Sequence, residues 1–135
     1  MIEQTLVLVK PDGVQRQLVG RILARYEDRG LKVVGLKLVR IDRAQAEAHY
    51  AVHRGKPFFE GLVEFIVSGP LVAAVLEGPE AISVVRTING ATRPEQAAPG
   101  TIRGDFAIET QENLVHGSDS IESATREIGI FFPQL

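Results

Sequence analysis

The chain has 135 residues, 44% of them apolar and 24% charged, which suits one globular domain over residues 1–135 and excludes wholesale disorder. Its 15 lysines and arginines against 17 aspartates and glutamates leave a net charge of −2, which argues against a protein held to nucleic acid by a uniform basic field but leaves small anions open to a few local cations. The lack of cysteine removes disulfides, thiol nucleophiles and thiolate zinc sites, and fits a cytoplasmic enzyme; no apolar run approaches the roughly 20 residues of a membrane helix.

Thr5–Val9 is β-branched and apolar and predicts a strand, stopped by Lys10-Pro11-Asp12-Gly13, a sequence suited to a type I turn. Val19, Ile22, Leu23 and Tyr26 recur at helical spacing, with Gly30 as the C-terminal stop. Leu31–Ile41 alternates loosely with Lys32, Lys37 and Arg40, which predicts a second strand with one wetter face. Asp42 and Gln45 have the spacing of a capping box for a short helix through Tyr50. Phe59, Leu62, Val63 and Ile66 mark another helix, closed by Ser68-Gly69-Pro70, and Leu71–Glu77 follows as a buried strand. Pro79 is expected to open a helix that carries Ile82 and Val85 and ends at Asn89-Gly90.

Regular pattern then disappears from Asn89 to Arg103, a long loop of the kind that is either functional or a solvated insertion. Leu114–Val115 leads into His116-Gly117-Ser118-Asp119-Ser120. Asp119 and Glu122 have capping-box spacing before a last helix with Ile121, Ala124, Thr125 and Ile128. The order of elements predicts an α+β fold. It is a ferredoxin-like split β-α-β sandwich, an antiparallel four-stranded sheet with helices packed on it.

The sequence lacks GxxxxGK[ST], GxGxxG and GxSxG, which disfavours P-loop, Rossmann and α/β-hydrolase chemistry. His49 and His53, four apart, have no third ligand nearby in sequence and are expected at or near the surface. His116 precedes a helix N-terminus rich in small hydroxyl residues, where free N–H groups suit an anion. An imidazole, largely neutral at pH 7, serves there as base or nucleophile, or His116 is simply a polar strand end. Lys10, Arg86 and Arg103 are either phosphate contacts or solvated cations. Phe59 fits the apolar stripe of its helix and Phe58 falls outside it, leaving Phe58 as the exposed ring.

Lys10-Pro11-Asp12-Gly13, Arg16–Gly20, His49-Tyr50, Lys56–Phe59, Ser68–Pro70, Pro99–Phe106 and Asn113–Ser120 together resemble the nucleoside diphosphate kinase family along the whole chain, in order. The resemblance implies transfer of the γ-phosphate of a nucleoside triphosphate to a nucleoside diphosphate by a ping-pong route through a phosphohistidine at His116. It implies that Glu127 orients this histidine through its other ring nitrogen, with Ser118 as its neighbour. Lys10, Tyr50, Arg86, Thr92, Arg103 and Asn113 then match phosphate, ribose and nucleophile-neighbouring positions. Phe58 matches the ring under the base, and Leu62 the apolar residue beside it. The implied cofactor is Mg2+, held mainly by nucleotide phosphates and water, with no dedicated protein ligands. The implied partners are nucleoside tri- and diphosphates and further copies of the chain, a hexamer being favoured over a tetramer by the short C-terminus and the intact loop with Pro94 and Pro99. No membrane and no specific nucleic acid are expected.

One rival is a non-catalytic nucleotide-binding or regulatory module on the same fold, which would have altered residues at positions 116, 10 or 103. Here His116, Lys10 and Arg103 stand. Another rival, a nucleic-acid binder, would want aromatics and basic residues interleaved on strands, whereas Thr5–Val9 and Leu71–Leu76 contain no aromatic residue.

Overall fold

In the computed structural model, which describes residues 1–135, strand β1 (Ile2–Val9) lies inside the sheet with a neighbour on each side. The four strands run in the order β2-β3-β1-β4, and every neighbouring pair is antiparallel. β3 (Leu71–Pro79) pairs with β1 along its length, from Ile2 opposite Pro79 to Val9 opposite Val72. β2 (Lys32–Val39) forms one edge, with a bulge between Val33 and Gly35. β4 (Val115–Gly117) forms the other edge and is only three residues long, with His116 opposite Leu8.

Side chains alternate across a strand, so β1 and β3 can be apolar throughout only if both faces are covered. On one face Leu6, Leu8, Ala73 and Val75 pack with Phe59, Val63, Ile66 and Phe131. These come from α4 (Phe59–Ile66) and α7 (Ile121–Phe131), with α3 (Arg43–His49) alongside. On the other face Val7, Val9, Ala74 and Leu76 pack with Ile22, Tyr26 and Val85, from α2 (Val19–Asp28) and α5 (Ala81–Asn89). Each valine, leucine, isoleucine or phenylalanine among them, fully withdrawn from water, contributes about 1.5–3 kcal/mol. β2 has less cover and leaves Leu36 and Leu38 exposed.

The α+β architecture is the one expected, and the capping box of Asp42 and Gln45 is present at α3. Several local expectations differ. Lys10-Pro11-Asp12-Gly13 forms the start of a short helix, α1 (Pro11–Gln15), with proline at its first position, where its missing N–H costs nothing. Pro79 closes β3 rather than opening a helix, and α5 starts at Ala81 after Glu80 turns into the left-handed region at φ 52°. Ser120, not Asp119, caps α7, its side chain accepting from the Ser123 N–H. The loop from Asn89 to Arg103 is partly ordered. It holds a 3-10 turn at Pro94–Gln96 and then α6 (Ile102–Phe106), which Thr101 caps by accepting from the Gly104 N–H.

Candidate active site

His116 sits on the edge strand β4, above the N-terminal turns of α7, and the sheet register fixes its backbone. Ser118, two residues on, extends the edge. Its N–H donates to the Leu6 carbonyl and its hydroxyl accepts from the Leu6 N–H. About two turns into α7, the buried Glu127 carboxylate comes up beneath both residues. Its Oε1 lies 2.7 Å from His116 Nε2 and accepts from the Ser118 hydroxyl at 2.8 Å. A carboxylate only accepts, so Nε2 carries the proton and Nδ1 keeps the ring's lone pair. The serine hydroxyl holds the carboxylate that holds the imidazole.

Three cations surround this histidine, and the main chain positions two of them. Arg103 donates to the carbonyls of Gly90 at 2.8 Å and Val115 at 2.7 Å. Arg86 donates to the Gly117 carbonyl at 3.2 Å. Lys10, just past the end of β1, donates from Nζ to Asn113 Oδ1 at 2.9 Å, and Asn113 Nδ2 donates to the Thr92 carbonyl at 3.3 Å. None of the three pairs with a carboxylate. Burial, helped by Arg103, pushes the Lys10 ammonium down to about 8, against a smaller opposing pull from Asp12. Burial, with Arg86 adding to it, lowers Arg103 to about 10, while Tyr26 acts in the opposite sense. Both remain cations at pH 7. Gly90 supplies its carbonyl from a left-handed conformation at φ 87°, where a Cβ would lie 2.4 Å from Thr101 Oγ1.

These groups line one cleft of about 440 Å³. The sequence-predicted His116, Glu127, Lys10, Tyr50, Phe58, Leu62, Arg86, Thr92, Arg103 and Asn113 all face it, and Ser118 lies behind its wall. Phe58 is 48% exposed, whereas its neighbour Phe59 is buried in the core. The Tyr50 hydroxyl is held above its usual range by burial and by Glu127, so it stays a neutral phenol.

His49 corrects a sequence expectation. It is buried, with its ring 4.6 Å from that of His116 and edge-on to it, and 5.5 Å from that of Phe131. Burial first, and the positive potential of His116, Arg126 and Lys10 second, hold it well below the usual histidine range. It is therefore a neutral ring backing His116. The signal was in the sequence, since Ala46 and His49 are three apart on the buried side of α3. His53 does stay near the cleft mouth, 5.3 Å from the Phe58 ring. Sequence reasoning also missed Arg126, which donates to the carbonyls of Ala48 and His49, and Asp119, a cleft carboxylate.

Metal-ligating atoms of His49, His116 and Glu127 lie within 4.8 Å of one another. The short Nε2–Oε1 hydrogen bond already occupies two of them, and Lys10 and Arg126 oppose further positive charge. Hard cations such as Mg2+ want oxygen ligands. The cleft has only two carboxylates, and Glu127 is engaged, which leaves Asp119. That donor set is too small for a protein-built Mg2+ cage, and it fits an ion that arrives on the oxygens of a phosphate ligand.

The family model described as nucleoside diphosphate kinase matches residues 3–135. A nucleoside diphosphate kinase of Mycobacteroides abscessus is 65% identical over all of both chains, and one of Mycolicibacterium paratuberculosis is 63% identical over 98% of each. The chain superposes with a TM-score of 0.95 on a halophilic nucleoside diphosphate kinase from Halobacterium salinarum, solved in complex with CDP. The two are 54% identical, over 98% of this chain and 88% of that one. The enzyme from Encephalitozoon cuniculi, solved in its apo form, aligns with a TM-score of 0.94 at 40% identity, over 96% of this chain and 88% of that one.

Proposed function

This chain belongs to the nucleoside diphosphate kinase family, and from that premise we propose that His116 Nδ1 is the atom through which it passes phosphate. It is an enzyme that transfers the terminal phosphate of a nucleoside triphosphate to a nucleoside diphosphate. In the first half-reaction the Nδ1 lone pair attacks the γ-phosphorus. A P–N bond forms as the bond to the bridging β–γ oxygen breaks, and its electrons leave with the diphosphate. In the second half, a terminal β-phosphate oxygen of the acceptor displaces the imidazole by the reverse path. One site thus performs two in-line transfers.

The observation that carries this reading is the commitment of Nε2 to Glu127, itself held by Ser118. The proton stays on Nε2 throughout, and the carboxylate supports the charge that the ring gains on attack. Lys10, Arg86 and Arg103 line the same cleft and would bind phosphate oxygens and balance the charge of the transferring group. Thr92, Asn113 and Tyr50 would add polar contacts, and Phe58 with Leu62 would hold the base by stacking and apolar contact. When bound, Mg2+ would neutralise phosphate charge; the nucleotide and water would hold it, with Asp119 the one cleft carboxylate left to face it.

The substrates are nucleotides of the cytoplasm, which this reading takes as the compartment. No helix of the chain is long and apolar enough to cross a membrane. Self-association, with a hexamer favoured over a tetramer, draws support from the edge strand β2 with its exposed Leu36 and Leu38. Incubation with γ-labelled ATP tests the central step. A phosphoprotein should form that is labile in acid and stable in base, and addition of a diphosphate should discharge it. Label on any residue other than His116 overturns the assignment.

A further inference from the structure

Asp12 is buried on α1 and belongs to none of the roles above. Its Oδ2 accepts from the main-chain N–H of Leu114 at 3.1 Å, across 102 residues of sequence. Leu114 is a non-glycine residue in the left-handed region, at φ 77°, a conformation that costs on the order of 1 kcal/mol or more and persists only when its surroundings hold it. Three hydrogen bonds do so, one of them local, from the Val115 N–H to the Asn113 carbonyl at 2.9 Å, closing a tight turn around Leu114. Asp12 takes the Leu114 N–H, and the Leu114 carbonyl accepts from the Lys10 N–H at 2.8 Å. That turn sets two groups of the cleft. Asn113, immediately before it, meets the Lys10 ammonium, and His116 lies two residues after it on β4.

The second carboxylate oxygen, Oδ1, is buried and has no hydrogen-bond partner. An unpaired buried carboxylate oxygen is costly. Burial holds the Asp12 carboxyl above its usual range, and the charge of the Lys10 ammonium opposes that rise. Lys10 itself points at a neutral amide, Asn113, so Asp12 acts on it through space and without a bridge.

We propose that Asp12 is a positioning residue for phosphate binding, locking the left-handed turn at Leu114 while serving as the buried countercharge of Lys10. The two tasks need different properties. The lock needs an acceptor oxygen of the right reach, which an amide also has. The countercharge needs the anion. The charge effect runs in the same sense: Asp12 raises Lys10 against burial and Arg103, and Lys10, with the backbone N–H groups around the carboxylate, partly offsets the burial that raises Asp12. The other titratable groups bearing on the same pocket wall are Arg103 and the neutral His49.

The inference rests on Lys10 as a phosphate contact, and the experiment separates the two. Steady-state KM for ADP and kcat are measured from pH 6.5 to 9.5 for wild type, Lys10→Met, Asp12→Asn and Asp12→Ala. In wild type KM should rise as pH climbs through about 8 and Lys10 loses its proton. Lys10→Met should lack that limb; if the limb persists, Lys10 is not the phosphate contact and the underlying reading falls. If Lys10→Met abolishes the limb, Asp12→Asn should move it down by about one pH unit, the effect of a nearby opposite charge. A limb left at the wild-type position overturns the countercharge. Asp12→Ala, which frees the Leu114 N–H, should lose at least tenfold more kcat than Asp12→Asn, and equal losses overturn the lock. Should Asp12→Ala fold only marginally while Asp12→Asn folds, urea unfolding of the pair should show the Ala variant the less stable by the lost hydrogen bond. Equal stabilities overturn the lock, and the limb of Asp12→Asn still tests the charge.

Discussion

Replacing Lys10 with Met should stabilise the nucleotide-free protein while weakening its hold on nucleotide. Lys10 is only 8% exposed, and the fall of its pKa from 10.5 to about 8 converts to about 3 kcal/mol of cost for keeping it charged at neutral pH. Methionine matches the length of the stem and carries no charge. Asn113 Oδ1 would lose its partner, which returns about 1 kcal/mol, so the net gain should be about 2 kcal/mol. The folded chain holds this proton less tightly than the unfolded chain does. Between about pH 8 and pH 10.5 the unfolded state therefore binds more protons, and the wild type gains stability from this group as pH rises. The cost is fully present below pH 8 and gone above 10.5, so the advantage of Lys10→Met should close over that window. Urea unfolding of both proteins at pH 7 and 10.5, at one protein concentration, measures it. ADP at about 100 times its Kd should add about 2.7 kcal/mol to the wild type and much less to the variant at the same concentration, removing or reversing the difference. A variant less stable than wild type at pH 7, or a gap indifferent to pH, refutes the reasoning.

His116→Ala should abolish the phosphoenzyme and turnover while ADP binding, measured by calorimetry, survives; phosphate found instead on His49 or His53 would refute the assignment. Glu127→Gln should slow transfer by less, because it removes charge and orientation but not the attacking atom, and pre-steady-state phosphorylation rates compare the two. Phe58→Ala should raise KM about 5- to 150-fold for adenine, guanine, cytosine and uracil diphosphates alike, since stacking contributes about 1–3 kcal/mol and every base has a face to stack. A preference for one base above about a thousandfold in kcat/KM would reveal a polar reader of its edge. Light scattering at micromolar concentration should give a mass several times that of the chain, and a value near 14.7 kDa would exclude a stable assembly.

Elements with strong periodicity or a cap were legible in the sequence. β1 and β3 announced themselves as apolar runs because helices cover both faces of the sheet, and Asp42 with Gln45 marked α3. The misreadings are local and share a cause. Pro79 and Lys10-Pro11-Asp12-Gly13 obey preferences that serve more than one conformation, and long-range pairing chose between them. Pro79 sits opposite Ile2 at the end of the ladder, and Asp12 reaches the Leu114 N–H. Of the site, spacing could single out His116 beside a helix start. It could not bring Lys10, Arg86 and Arg103 to it, because they lie far apart in the chain, after β1, on α5 and on α6, and only tertiary packing joins them. The family resemblance supplied that assembly. It matched His49-Tyr50 but gave His49 no role; the burial of that ring follows from the packing of α3 against α7.

The arrangement of the three cations follows from what an empty phosphate site must avoid. In a protein with net charge −2, the simplest way to hold an arginine still is a carboxylate, as Asp105 holds Arg25 and Glu60 holds Arg43. Such a pair would cancel the charge that a phosphate needs and would have to break on binding. Arg86 and Arg103 are held instead by main-chain carbonyls of Gly90, Val115 and Gly117, and Lys10 by an amide. Carbonyl dipoles fix position and leave the full positive charge in place. The carbonyls of Val115 and Gly117 belong to β4, the strand that carries His116, and that of Gly90 to the C-terminal end of α5, which packs against β4. Cations and nucleophile therefore share one rigid edge, and little reorganisation is left for the moment of transfer. The one carboxylate close to His116 contacts its far nitrogen, where it supports the charge on the ring without meeting the phosphate. The cost of this design is buried positive charge bridged to no carboxylate, and Lys10 and Arg103 both bear it, each held well below its usual range by burial.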